Sequence, residues 1–204
     1  MEFYDVINKR RTIRQFKDEP IEKVVIERIL EAGLKAPSSN HQRRWELVTL
    51  TDKTLISEVA SFVKPYRMDL KEAKTPRQEM AMISYPKQRT QLSEAACLIL
   101  PFFPVKYEIK SPKNDYGLWD YGATWTLIEN IFLATTAEGL GANLHAPVGK
   151  ESQLIKDYLG VPERYYLPAV LALGHPIDQA ELPTQVNATL KNRVHWNKWK
   201  RSKK

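Results

Sequence analysis

Apolar and polar positions along the chain predict helices and strands in alternation. After Glu19-Pro20, apolar residues share one helical face, which predicts a helix over 21–34. The segment W-E-L-V-T-L-T over 45–51 predicts a strand, and Thr51 or Asp52 is suited to cap the helix that follows. Similar patterns predict helices over 2–8, 53–63 and 150–159, and strands over 95–103, 142–146 and 167–173.

One predicted helix is longer and more apolar than the others. It covers 115–139, and its apolar residues fall on several faces rather than on one. Gly139 and Gly141 mark its end. This pattern predicts a helix at the centre of the molecule or at a subunit interface.

The polar segment 64–92 has two interpretations. It carries three prolines and three methionines, and no clear period runs through it. It is either an irregular helical excursion that covers a pocket or an ordinary surface insertion.

These elements together predict an α+β protein with a small central mixed sheet flanked by helices. The chain of 204 residues has neither an internal repeat nor a linker, which favours one domain over residues 1–204. An extended arm with a basic tail is expected over 183–204.

The net charge of +7 is localised at the C-terminus. Residues 191–204 hold seven of the 31 basic residues and no acidic one, which leaves 24 basic against 24 acidic residues in the body. A protein that binds nucleic acid through a uniformly basic surface would not show this distribution. The tail is interpreted either as a solvated end or as a segment that reaches a phosphate.

The cysteine content and the N-terminus favour the cytoplasm. Cys97 is the one cysteine, so the chain forms no internal disulfide, a pattern typical of a reducing compartment. The N-terminal residues lack the basic flank and apolar core of a secretion signal. The longest apolar run, 95–105, is too short to span a bilayer, so no membrane association is expected.

Several patterns that indicate other chemistries are missing from the sequence. The 8 glycines form neither a phosphate loop nor a dinucleotide fingerprint after a strand. The four histidines lie far apart, so no metal site is expected, and there is no nucleophile elbow.

Two short segments carry the candidate chemistry. Arg10-Arg11-Thr12-Ile13-Arg14 places three guanidinium groups and a hydroxyl within five residues, a set that favours a phosphate. The alternatives are a solvated Arg11 and an ion pair between Arg14 and Asp18 or Glu19. The second segment, 36–42, supplies hydroxyl and amide side chains suited to a polar heteroaromatic ring. The two together predict a nucleotide-like cofactor and therefore redox chemistry.

An ordered set of motifs resembles the FMN-dependent nitroreductase family. Residues 10–16 resemble its Arg-Arg-Ser-x-Arg-x-Phe opening, and Ala36-Pro37-Ser38 with Asn40, Gln42 and Trp45 resembles its second motif. Later matches are Gly139-Leu140-Gly141-Ala142 with Pro147 and Gly149, then Gly174-His175-Pro176, and the terminal residues 195–199. The matches keep the family's order over nearly the whole chain.

The resemblance implies a role for each matched position. Arg10 and Thr12 would hold the phosphate and ribityl end of FMN, Arg11 would be a further cofactor contact, and Arg14 would lie near flavin N1 and its C2 carbonyl. The remaining implied contacts are Ser38, Ser39 and Asn40 from the other subunit, Gln42, the segment Ala146, Pro147, Val148 and Gly149, and Arg193 from the arm. The backbone N–H groups of Val148 and Gly149 would face flavin N5, because proline has no amide hydrogen.

The resemblance further implies an oxidoreductase and a homodimer with FMN at the subunit interface. Electrons would pass from NADH or NADPH to a small electron-poor acceptor such as a nitroaromatic or a quinone by a ping-pong mechanism. The flavin carries the redox chemistry, so no catalytic side chain is implied. Two alternatives remain open: a flavin protein of the same fold with different chemistry, such as reductive dehalogenation or flavin handling, and a non-enzymatic binding module with a basic tail.

The sequence departs from the family pattern at four places. Thr12 replaces the usual serine, Arg44 replaces the proline before tryptophan, and Asn40 lies one position early. No acidic residue occurs in 146–149, where some members carry one near the ring.

Overall fold

A computed structural model describes residues 1–66, 68–106, 109, 116–186 and 188–199. It confirms the α+β class. The strands are β1 (Glu46–Leu50), β2 (Cys97–Pro104), β3 (Gly141–His145), β4 (Tyr165–Tyr166) and β5 (Val170–Gly174). The helices are α1 (Phe3–Lys9), α2 (Lys23–Leu34), α3 (Lys53–Ser61), α4 (Pro76–Ser84), α5 (Thr90–Ser93), α6 (Tyr116–Ala137), α7 (Glu151–Leu159) and α8 (Leu190–Arg193), with a short 3₁₀ turn at Ser39–His41.

The sheet has the strand order β1-β2-β5-β3, and the short β4 pairs with the end of β2. All of these strand pairs are antiparallel. Parallel pairing is limited in the described chain to a bridge between Thr12 and Ala142. That bridge attaches the N-terminal segment to the outer strand β3.

The core consists of two apolar layers on opposite faces of the sheet. Along β2, Ile99 belongs to the layer that α2 and α6 cover, whereas Leu98 and Leu100 belong to the layer that α3 and α7 cover. Because both faces are buried, β2 is apolar at nearly every position rather than at alternate ones. The helix α6 contributes Leu127 and Ile131, both fully buried, which confirms its central position.

Local signals explain where several elements begin and end. Asp52 caps α3, since its carboxylate accepts the N–H groups of Thr54 and Leu55 at 2.8 and 3.0 Å.

The strand β4 and the helix α8 were not predicted, because two and four residues are too short for a hydrophobic period. No helix within the described ranges is long and apolar enough to cross a lipid bilayer.

Two glycines allow the N-terminal segment to lie directly against the sheet. A Cβ on Gly141 would be 2.7 Å from the Cβ of Ile13, and one on Gly174 would be 2.7 Å from the Phe16 ring. In this close packing the Ile13 N–H donates to the Ala142 carbonyl at 2.9 Å. The Asn143 side chain donates to the Ile13 carbonyl at 2.6 Å. Both contacts hold the residue next in sequence, Arg14.

We predict that Gly141→Ala destabilises the protein by roughly 1–3 kcal/mol, because the added methyl overlaps Ile13. Gly122→Ala is the matched control, since an added Cβ there has no atom within 4 Å. Urea unfolding of the two variants measures the difference. Equal free energies of unfolding would contradict the close approach.

Candidate functional site

A cavity of about 390 Å³ lies where the N-terminal segment, the end of β3 and the segment after α4 meet. We refer to it as the Arg14 cavity. Part of 64–92 forms one wall, which supports the first of the two interpretations of that segment. The lining residues are Arg14, Tyr66, Met80, Ser84, Tyr85, Gln88, Leu144, His145, Ala146 and Val148.

Arg14 supplies an unused hydrogen-bond donor to this cavity. Its Nη1 is buried and has no hydrogen-bond partner within the described part of the chain. Burial also lowers the pKa of the Arg14 guanidinium from its ordinary value. The predicted alternative of an ion pair is not formed, because Asp18 pairs with Lys53 at 3.0 Å and Glu19 lies 4.0 Å from His175. A buried donor without an acceptor is costly, which is typical of a site that accepts a ligand.

A second cation, Lys87, lies beside Arg14. Burial, and then the positive charge of Arg14, lower the pKa of the Lys87 ammonium group. Its Nζ forms an ion pair with Glu181, two residues before the C-terminal arm. The carboxylate therefore offsets the charge of Lys87.

A buried polar network begins at the cavity wall and extends behind it. His145 Nε2 lies 2.8 Å from Glu151 Oε2, and His145 Nδ1 lies 2.8 Å from Gln88 Oε1. Glu151 also accepts the N–H of Lys64 and that of Val148, each at 2.9 Å. Burial acts to raise the pKa of Glu151, but these N–H donors and His145 outweigh it and hold the pKa below its usual range. The carboxylate thus connects three separate segments.

The loop 146–149 takes its shape from this network. The resemblance names the N–H groups of Val148 and Gly149 as donors to the flavin. The Val148 N–H already donates to Glu151. The Gly149 N–H has no acceptor among the described residues. Gly149 has φ of +58°, a conformation that favours glycine.

The other basic residues of the first motif have different surroundings. Arg10 Nε lies 3.9 Å from Glu129 Oε1 on α6, and its side chain is about one-third exposed. Arg11 donates to the Pro183 carbonyl at 3.0 Å, so it anchors the arm. Thr12 is half-buried in the bridge to Ala142.

The second predicted segment lines a different cavity. Ser39, Asn40 and Gln42 border a space of about 330 Å³ together with Arg44, Lys106, Trp119 and Asp120. Arg44 forms an ion pair with Asp120 there. Ser38 accepts the Arg43 N–H at 2.9 Å, which closes the turn. The described residues of one chain therefore bring Arg14, Ala146 and Val148 to one cavity and the 38–42 segment to another, while Arg193 is exposed at the end of α8.

Sequence reasoning missed most of the residues around the Arg14 cavity. Tyr66, Tyr85 and Gln88 lie in a segment without a clear period, and their positions depend on the fold. Glu151 had a local signal, because it follows the predicted loop by two residues and can accept its N–H groups. His145 had none, since the four histidines showed no pattern.

Comparison with known proteins connects this geometry to a family. An iodotyrosine deiodinase from Nematostella vectensis is 28% identical over 187 residues, which cover 89% of this chain and 70% of that protein. An NADH dehydrogenase from Thermus thermophilus is 26% identical over 184 residues, or 84% and 85% of the two chains.

A solved structure shows the same fold. The FMN-dependent nitroreductase from Clostridium difficile R20291 matches with a TM-score of 0.70 at 22% identity, and the match covers 95% of this chain and 98% of that one. The nitroreductase family itself matches residues 7–175, which is most of the sequence. The chain belongs to the nitroreductase family.

Proposed function

We propose that the protein is an FMN-dependent oxidoreductase that passes electrons from NADH or NADPH to a small electron-poor acceptor, such as a nitroaromatic or a quinone. One observation carries the proposal. Arg14 and the loop 146–149, which the family resemblance assigns to the same flavin ring, border one cavity although they are more than 130 positions apart. The names of the similar proteins from Clostridium difficile and Thermus thermophilus support the cofactor and the electron donor.

The donors at the cavity fit a flavin. The pyrimidine part of a flavin has carbonyl oxygens and ring nitrogens that accept hydrogen bonds. Arg14 Nη1 and the Gly149 N–H are both unpaired within the described residues, so each can donate to such a ring. The walls formed by Tyr66, Leu144 and Ala146 suit the apolar remainder of a planar ligand.

The residues of this chain would bind, orient and bias the cofactor. Bound FMN would accept a hydride from the nicotinamide and pass electrons to the acceptor, one after the other at one site. The Arg14 guanidinium would favour the more negatively charged redox form, and about 1.4 kcal/mol of such preference corresponds to about 30 mV. Arg10 and Thr12 would hold the phosphate end, with Arg193 completing that part of the site.

We further propose a homodimer in which Ser38, Ser39, Asn40 and Gln42 reach the partner's flavin. Their separation from the Arg14 cavity within one chain supports a shared site. Exposed aromatic side chains also support it, since Phe3, Tyr4, Trp196 and Trp199 are each more than 60% exposed.

The single, buried Cys97 agrees with a reducing compartment, and we propose the cytoplasm.

Absorbance of the purified protein tests the cofactor, and steady-state kinetics test the reaction. Bound FMN gives a yellow protein with the two visible bands of flavin. NADH or NADPH oxidation should then depend on an added nitroaromatic or quinone, with parallel double-reciprocal plots. Turnover of an iodotyrosine alone would favour the dehalogenation alternative, and a colourless protein that takes up no FMN would favour the binding module.

We predict that Arg10→Ala weakens FMN binding about tenfold to a hundredfold, because a charge-assisted bond to phosphate contributes roughly 1.5–3 kcal/mol. Arg28→Ala is the matched control, since Arg28 also pairs with a carboxylate, Glu138, at 2.7 Å. Fluorescence titration of the apoproteins measures both dissociation constants. Equal affinities of the two variants would rule out the phosphate role.

For Arg14→Gln we expect FMN to remain bound at a lower midpoint potential, because the cation beside the ring is lost. Arg14→Lys retains the charge and should restore most of the difference. Dye equilibration measures the potentials. If Arg14→Gln has the wild-type potential, Arg14 is not near flavin N1.

Removal of residues 186–204 should weaken the dimer and release FMN at once, because the arm carries the exposed Trp196 and Trp199. A chain that ends at residue 199 is the control, because it loses the last four basic residues but keeps both tryptophans. Sedimentation velocity with flavin absorbance follows mass and cofactor together. A full-length monomer with stoichiometric FMN would contradict the shared site.

A further inference from the structure

The buried His145 at the Arg14 cavity has a hydrogen-bond acceptor at each ring nitrogen. Nε2 faces Glu151 Oε2 and Nδ1 faces Gln88 Oε1, both at 2.8 Å. An ionised carboxylate and an amide oxygen only accept hydrogen bonds. Both ring nitrogens must therefore donate, and only the imidazolium form of histidine has two N–H groups.

The orientation of the Gln88 amide is determined by a third residue. Gln88 Nε2 donates to the Ser84 carbonyl at 3.2 Å. If the amide were turned to offer its nitrogen to His145, its oxygen would instead face that carbonyl oxygen. Gln91 Nε2, at 3.5 Å from Gln88 Oε1, supports the same orientation.

The proton also belongs on the ring rather than on Glu151. Glu151 Oε1 accepts the Lys64 N–H, and Oε2 accepts the Val148 N–H. Hydrogen bonds from two backbone donors stabilise the ionised carboxylate over the acid. With side chains only 3% and 1% exposed, His145 and Glu151 form a buried ion pair.

We propose that His145 is an imidazolium that acts as a positioning residue: it holds the 146–149 loop through Glu151 and adds a positive charge to the lining of the cavity that Arg14 also borders. The consequence for the flavin rests on the function proposed above. His145 lines the cavity, whereas Glu151 lies behind it, so the positive end of the pair faces the ligand. Both N–H groups are occupied, so the ring acts by its charge and donates no proton.

The charged and titratable groups near His145 come from several elements. Arg14, Tyr66 and Tyr85 line the same cavity, Lys87 lies beside Arg14, and Glu151 supplies the negative charge. Glu181 neutralises Lys87. Arg14 and His145 therefore remain as the positive charges directed at the ligand among the described residues that line the cavity.

Nitrogen-15 NMR of the apoprotein with labelled histidine tests the charge without any cofactor. His145, assigned by its absence from His145→Gln, should show a proton on both ring nitrogens at pH 7.5. A ring nitrogen without a proton at that pH would overturn the proposal. Gln88→Leu removes the acceptor at Nδ1 and should leave a ring with one proton.

The FMN-loaded protein tests the effect of the charge. His145→Gln should reduce the preference for reduced over oxidised flavin at least tenfold, a fall in midpoint potential of about 30 mV. His175→Gln is the matched control, because that side chain is more than one-third exposed and lies near Glu19. Equal potentials of the two variants would overturn the electrostatic role.

Two further outcomes distinguish failure of this proposal from failure of the proposed function. If His145→Gln does not fold, Gln88→Leu replaces it, and a potential equal to that of wild type would then overturn the proposal. If wild type binds no FMN, the proposed function fails, whereas the protonation state of His145 is still decided by the NMR spectrum.

Discussion

The Glu151 carboxylate is the interaction on which the Arg14 cavity depends. It accepts hydrogen bonds from the segment after α3, from the loop 146–149 and from His145 at the end of β3. The contact with Lys64 joins residues 87 positions apart, so the buried carboxylate ties the segment after α3 to the end of β3 and its loop. Removal of one partner of such a pair usually costs more than the pair contributes, since the other charge remains buried and unpaired. Loss of either His145 or Glu151 is therefore expected to disturb this wall of the cavity.

The opposite wall depends on steric rather than electrostatic complementarity. Gly141 and Gly174 leave room for Ile13 and Phe16, so the chain between them runs along the sheet with Arg14 directed at the cavity. The packing of Ile13 and Phe16 fixes the backbone on both sides of Arg14. In that position Arg14 Nη1 is buried without a hydrogen-bond partner among the described residues. A ligand gains from this arrangement, since the cost of burying the donor is already met in folding.

Most of the fold could be predicted from the sequence, and the reasons are local. Period and capping place α2, α3, α6 and α7 within a few residues, and apolar runs place β1, β2, β3 and β5. The short β4 and α8 could not be predicted, because their existence depends on the strand or arm beside them. Only part of the cavity lining could be predicted from the sequence. Arg14 and 146–149 lie in recognisable motifs, whereas Tyr66, Gln88 and His145 come together there through tertiary packing alone. The Val148 N–H is one example: Glu151, its acceptor, lies three residues further along the chain, but the sequence pattern does not predict the hydrogen bond between them.

The contacts of Arg11 and Ile13 carry a consequence for the order of events during synthesis. Arg11 donates to the carbonyl of Pro183, 172 positions later, and Ile13 pairs with Ala142, so the arginine motif is completed by residues that are made long after it. A nascent chain that emerges from the ribosome from its N-terminus carries the arginine motif in solution until β3, β5 and the base of the arm follow. Contacts of such long sequence separation form late and slowly. Capture of a ligand at this cavity accordingly requires synthesis to have passed β3 and the loop 146–149, which supply part of its lining.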